Sequence, residues 1–137
     1  MSWAHSLIKI TNFEVEILQK RLSEIVERRI AADLALVMLC AQGEAEALRA
    51  RDDAEAGWCH LGFQQGLVIR KRDAETAILA VADEEQGARD ALSEAFETLK
   101  KYEQVAEAQR QAVLKEEARR ETIALDELGL RRAVGRR

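Results

Sequence analysis

The chain contains no proline, two cysteines, and among 137 residues only three phenylalanines, two tryptophans and one tyrosine. Without proline, nothing forces a helix to kink or stop. So few large side chains argue against a bulky globular core. Cys40 and Cys59 lack further ligands at zinc spacing, His60 beside the second notwithstanding, so both are expected to be free thiols in a reducing, cytoplasmic compartment. Met1 to Ile10 shows no basic region followed by an apolar core, and no apolar run approaches the ~20 residues that span a bilayer. Neither secretion nor a transmembrane segment is expected. The 25 acids and 21 bases are interspersed and give a net charge of -4, so no basic field is present to hold nucleic acid. The exception is the end, where Arg131, Arg132, Arg136 and Arg137 follow the last acid, Glu127. Such a tail either grips an acidic surface or stays a solvated end.

What remains is a chain that is 34% charged and rich in Ala, Glu, Leu and Arg, with helix propensity almost throughout. The pattern predicts an all-α protein, two long antiparallel helices forming a coiled-coil hairpin that occupies residues 1–137 as one unit. Helix 1 is expected over about residues 3–56. Leu7, Val15, Leu18, Leu22, Ile25, Val26, Ile30, Leu34, Val37, Ala41, Ala45 and Leu48 recur there at three- and four-residue steps. Val15, Val26, Val37 and Leu48 stand eleven apart, which favours a nearly straight helix. Gly57, Gly62 and Gly66 place the turn at about 57–66, since glycine lets the backbone reverse without a Cβ penalty. Helix 2 then covers about 67–130, followed by the basic tail 131–137. Its heptad is Ile78, Val81, Glu85, Ala88, Leu92, Ala95, Leu99, Tyr102 and Ala106, with polar interruptions at Gln109 and Glu116 that weaken pairing toward the C-terminus. Two helices of similar length result. Gly43 and Gly87 fit either a close helix approach or a tolerated loss of helix propensity.

Acid-before-base pairs four residues apart, among them Glu16 with Lys20, Glu24 with Arg28, Glu85 with Arg89, Glu97 with Lys101 and Glu116 with Arg120, read as solvated helix surface. No phosphate-cradling glycine loop, nucleophile elbow or metal-ligand cluster occurs, and the two histidines, His5 and His60, lie far apart. Neither enzyme activity nor a metal or cofactor is expected. Apolar residues exceed what one seam needs. Leu36, Met38 and Leu39 point away from the Ile30, Leu34, Val37 stripe and have no expected intramolecular partner. Leu79 and, around the turn, Trp58, Phe63, Leu67 and Ile69 add to that surplus, which marks a protein-docking face. Ile10, Phe13 and Ile17 form a further face, either a second docking surface or a thicker terminal core.

The strings SLIKITNFEVEILQKRLSEIVERR (Ser6 to Arg29), GFQQGL (Gly62 to Leu67), KKYEQVAEAQRQ (Lys100 to Gln111) and ALDELGLRR (Ala124 to Arg132) resemble, in order and over nearly the whole chain, the FliJ family of flagellar export proteins in its α-proteobacterial form. The resemblance implies a soluble, cytoplasmic stalk, peripheral at the inner-membrane export apparatus. Such a stalk enters the hexameric export ATPase and contacts the cytoplasmic domain of the export gate and the export chaperones. By matching positions it assigns Phe13, Arg21, Arg119, Glu121, Asp126 and Glu127 to the ATPase ring. To the gate it assigns Leu39, Phe63, Gln64, Gln65 and Leu67, and the apolar surplus adds Leu36. Stalks of virulence type III secretion systems share the plan. Two readings independent of the family are a dimerising coiled-coil scaffold and a nucleic-acid binder acting through the arginine tail.

Overall fold

The computed structural model describes residues 3–135, apart from the side chains of Ala54 and Ala56, so Arg136 and Arg137 of the predicted basic tail lie outside the described residues. Every described residue except Asp53 is helical: α1 is Trp3–Asp52 and α2 is Ala54–Gly135. The fold is all-α, two long helices in antiparallel pairing, as the composition predicts.

The reversal falls earlier than the glycine cluster. Asp53 ends one helix and begins the next, since its N–H donates to the Arg49 carbonyl (3.2 Å) and its carbonyl accepts from the Gly57 N–H (3.0 Å). Its carboxylate caps α2 by accepting the Glu55 N–H at 3.0 Å. A short acidic side chain satisfies an orphan donor that glycine cannot reach, and no described glycine takes a positive φ. Arg49 and Arg51 in the last turn of α1 and Glu55 in the first turn of α2 match the helix dipoles. Gly57, Gly62 and Gly66 accordingly lie inside α2. The helices are unequal for the same reason, 50 residues against 82.

The chain divides into two compact units, one of Val15–Glu94 and one of the residues up to Glu14 with those from Ala95 onward. In the unit of Val15–Glu94 the helices run antiparallel, with Arg28 bonded to Glu84 and Gly43 against Leu67. The α1 positions shielded from solvent are Val15, Leu18, Leu22, Ile25, Val26, Arg29, Ala32, Leu36, Leu39, Gly43, Glu46, Ala47 and Ala50. With Val26 and Ala47 flanking the row, the steps of the others alternate three and four, which is a heptad. Ile30, Leu34, Val37 and Leu48, expected in the seam, are 56–62% exposed. The eleven-residue reading of α1 is thereby corrected, and Leu36 and Leu39 prove to be seam residues with intramolecular cover. In α2 the expected heptad holds: Ile78, Val81 and Leu92 are half-buried, and Glu85 and Ala88 are buried.

Glycine costs a helix ~1 kcal/mol against alanine. A Cβ at Gly87 would meet nothing within 4 Å, so Gly87→Ala is expected to raise stability by about that amount. At Gly43 a Cβ would lie 2.6 Å from Leu67 Cδ2, and Leu67 is only 7% exposed. Gly43→Ala must displace that leucine and is expected to show little or none of the gain in urea denaturation. Gly43 is thus a close approach, Gly87 a tolerated cost.

In the other unit Ala4 and Thr11 of α1 are buried and Ile8 is half-buried; Leu99 of α2 is buried, and Ala95, Tyr102, Ala106, Gln109 and Glu116 are half-buried. The Thr11 hydroxyl is satisfied by donating to the Leu7 carbonyl at 2.8 Å. Beyond Glu116 every described residue of α2, from Glu117 to Gly135, is exposed. That segment of about 28 Å at 1.5 Å per residue forms no core of its own. Ile123, Leu125 and Leu128 are 43–67% exposed there.

Candidate protein interaction surfaces

Because seam burial consumes only one face of each helix, the apolar residues left outside it define the candidate surfaces. In the unit of Val15–Glu94, α1 presents a second stripe of Ile30, Leu34, Val37, Met38 and Leu48. It includes part of the uncharged run Leu34 to Gly43. On α2 of that unit Trp58 (89% exposed), Leu61, Val68, Ile69 and Leu79 stand free of the seam.

The residues assigned to the gate divide by burial. Leu67 belongs to the core and Leu36 and Leu39 to the seam, so their burial leaves little apolar surface for a partner. Gln64 and Gln65 are exposed and, with Leu61, Leu67, Val68 and Lys71, line a shallow groove of about 340 Å³. Phe63 is half-buried, with the Arg70 guanidinium 5.5 Å from its ring centroid in cation–π geometry. Arg70 Nε also donates to the Gly66 carbonyl at 3.4 Å, fixing the guanidinium there. Cys40, Gly43, Glu44, His60 and Phe63 share a second groove of about 370 Å³. Both cysteines are exposed free thiols.

In the unit containing both ends of the described chain, the ATPase-assigned Phe13, Arg119, Glu121, Asp126 and Glu127 are all exposed, Phe13 at 63%. Arg21 is also exposed and lies in the Val15–Glu94 unit. Arg119 forks onto Glu116 through Nε (3.0 Å) and Nη2 (2.7 Å), and Arg120 reaches the same carboxylate at 3.4 Å. Those bonds hold the Glu116 carboxyl below its ordinary range. The expected Glu116–Arg120 and Glu85–Arg89 pairs both form, whereas Arg28 pairs across the helices with Glu84.

A cleft of about 550 Å³ in this unit has a floor of Ile8, Ala106, Val113 and Leu114 and a rim that includes Glu103, Glu107, Arg110 and Glu117. Sequence reading missed it. Its available signal was Ile8 and Val113 in an otherwise charged stretch. Arg110 donates to both carboxylate oxygens of Glu107, at 3.0 and 2.7 Å, and Gln111 donates at 3.1 Å. The Arg110 bonds first, then that of Gln111, bring the Glu107 carboxyl down to about 2. A depressed carboxylate supports the fold above its unfolded value and loses that contribution as pH falls through the folded one. Glu107 is therefore expected to remain ionised at about pH 3, where an ordinary glutamate is protonated. A side-chain carboxyl NMR titration checks this.

Among the described residues no helix is long and apolar enough to cross a membrane, and no group of three or more His, Cys, Asp or Glu could hold a metal ion.

No family model matches the chain, and no solved structure matches it. Among curated proteins it is 52% identical, over 132 residues, to the Flagellar FliJ protein of Caulobacter vibrioides strain NA1000 / CB15N, covering 96% of this chain and 95% of that protein. The same figures hold for the Flagellar FliJ protein of Caulobacter vibrioides strain ATCC 19089 / CIP 103742 / CB 15. Identity of that level over almost the full length of both chains, on the paired helices that the resemblance implies, places this chain in the FliJ family of flagellar export proteins.

Proposed function

We propose that the protein is a non-catalytic stalk and adaptor of the flagellar export apparatus. It couples the export ATPase hexamer to the cytoplasmic domain of the export gate, contacts export chaperones, and works at the cytoplasmic face of the inner membrane. The observation that carries this reading is the near full-length identity to flagellar FliJ proteins. The exposure pattern supports it, since both units keep apolar side chains outside their seams, as a protein that binds other proteins requires.

The gate contact is assigned to Gln64, Gln65 and the exposed part of Phe63, with Leu36, Leu39 and Leu67 supporting them from the seam and core. The ATPase contact is assigned to Phe13, Arg119, Glu121, Asp126 and Glu127. Purified chain is expected to capture both the export ATPase and the gate domain, and its deletion to abolish flagella. The double variant Gln64→Ala/Gln65→Ala should lose the gate and keep the ATPase; Phe13→Ala/Arg119→Glu should do the reverse. Capture of neither partner, together with intact flagella after deletion, ends this reading.

A further inference from the structure

On α1 a row outside the seam runs Glu27, Ile30, Leu34, Val37, Ala41, Glu44, Leu48 and Arg51, at steps that alternate three and four. It lies roughly 150° around the helix from the seam positions Ile25, Arg29, Leu36 and Leu39, and every member is exposed. Ile30, Leu34, Val37 and Leu48 in the row and Met38 beside it are 55–62% exposed. From Leu34 to Gly43 the helix carries no charge. A continuous apolar strip of this kind on a helix in water marks a contact surface. Its order names the occupant. Counted outward from Leu39, Val37 and Ala41 stand two residues away, Leu34 and Glu44 five, Ile30 and Leu48 nine, Glu27 and Arg51 twelve. The row is a mirror image of itself in spacing, with an acid at one end and a base at the other.

We propose that this outer face of α1 binds a second copy of itself, the two α1 helices lying antiparallel about a two-fold axis at the level of Leu39. Across that axis Ile30 meets Leu48, Val37 meets Ala41 and Glu27 meets Arg51, each twice. A large side chain faces a small one near the centre and opposite charges close both ends; only Leu34 opposite Glu44 departs from this order. Parallel copies would set Glu27 on Glu27 and Arg51 on Arg51, so charge selects the antiparallel arrangement. An unrelated partner has no need of a row that complements itself about one point, whereas a two-fold dimer requires it. Area agrees: covering the five large apolar side chains removes on the order of 100 Å² from each, hence about 500 Å² per copy and roughly 1,000 Å² in all, the lower bound for a specific interface. The dimer is therefore reversible. None of the eight row residues is among those assigned to the gate or the ATPase, and only Glu44 borders the groove that holds Phe63 and Gln64, so the dimer goes beyond the proposed function and does not rest on it.

Sedimentation equilibrium of the full chain, from low micromolar to near-millimolar concentration, is expected to show a monomer–dimer equilibrium. Val37→Glu, at an exposed position, should raise the dissociation constant at least ~10-fold, with helicity and capture of the gate domain unchanged. Glu27→Arg alone should raise it about 10-fold, and Glu27→Arg/Arg51→Glu should return it to within about threefold of the native value. The native cysteines read the geometry, since Cys40 is an exposed thiol one residue from the axis and Cys59 an exposed thiol on α2. Paired helices lie about 8–10 Å apart, so a bismaleimide of that span should join two copies of Cys59→Ser through Cys40 and leave Cys40→Ser unjoined. A chain that is monomeric at every concentration overturns the proposal. So does a dimer indifferent to Val37→Glu, crosslinking through Cys59 rather than Cys40, or a double charge swap that rescues nothing. A chain that stays monomeric while Val37→Glu loses the gate domain gives the face to that partner instead.

Discussion

Replacing Ile25 by alanine is expected to lower the stability of the protein by about 2–5 kcal/mol, the range for deleting a fully enclosed aliphatic side chain. Ile25 is 2% exposed and is the largest fully buried side chain described. The unit around it has little else to compensate, with Val15, Leu67 and Ala88 as its other buried apolar residues. Two facing helices also leave few neighbours to collapse into a cavity, which moves the cost toward the upper part of that range. Ile30→Ala removes the same atoms from a residue 57% exposed and should change stability by no more than about 0.5–1 kcal/mol. Urea denaturation followed by the helical circular dichroism signal compares them directly. Equal losses at Ile25 and Ile30 would contradict the heptad seam and restore the eleven-residue stripe.

The contrast between Ile25 and Ile30 also marks how far the amino-acid sequence reaches. The all-helical class, the antiparallel pairing and the α2 heptad from Ile78 to Ala106 are legible because apolar residues there occupy one face and little else competes. On α1 two apolar stripes coexist, and hydropathy alone favours the wrong one. Val37 and Leu48 are greasier than Ala32, Gly43 or Glu46, yet the latter three hold seam positions. The seam accepts small residues because backbones approach closely, as at Gly43 and Leu67. It accepts Arg29 because Glu85 lies opposite. A lone acid in one heptad matched by a lone base in the other is the signal that sets the phase. The turn is misplaced for a comparable reason, since glycine count outweighs the capping carboxylate of Asp53.

Around the candidate surfaces, polarity tracks exposure better than hydrophobicity does. Gln64 and Gln65 stand exposed, while Leu67 and the seam residues Leu36 and Leu39 serve the helix pair first. A leucine adjoining a docking face and a leucine in the seam are identical in sequence until the phase of the heptad is known. The apolar surface that α1 does offer, Ile30, Leu34, Val37 and Met38, is partly mistaken for core on the same ground.

Glu85→Gln is expected to cost about 1.5–3 kcal/mol, the worth of hydrogen bonds to a charged group that solvent cannot replace. The Glu85 side chain is 8% exposed and takes Arg89 at 2.9 Å from its own helix and Arg29 at 3.4 Å from the other. Arg29 Nε is buried with no hydrogen-bond partner, so loss of the facing charge leaves this guanidinium poorly satisfied. A double-mutant cycle with Arg29→Gln should return a coupling of about 0.5–3 kcal/mol, whereas Glu84→Gln, removing the exposed partner of Arg28, should matter far less. Stability is only part of the role. A slip of one heptad would set the Glu85 carboxylate against Leu22 or Leu36 instead of Arg29, a costly exchange that confines the helices to one register. Glu85→Leu should therefore keep much of the lost stability by apolar burial but relax the register. Spin labels at the exposed positions Ala35 and Leu79 read this directly. One narrow distance peak is expected for the native chain and a broadened or split distribution for Glu85→Leu. An unchanged peak in the leucine variant would show that apolar packing alone fixes the register and that the buried charge is only a stability element.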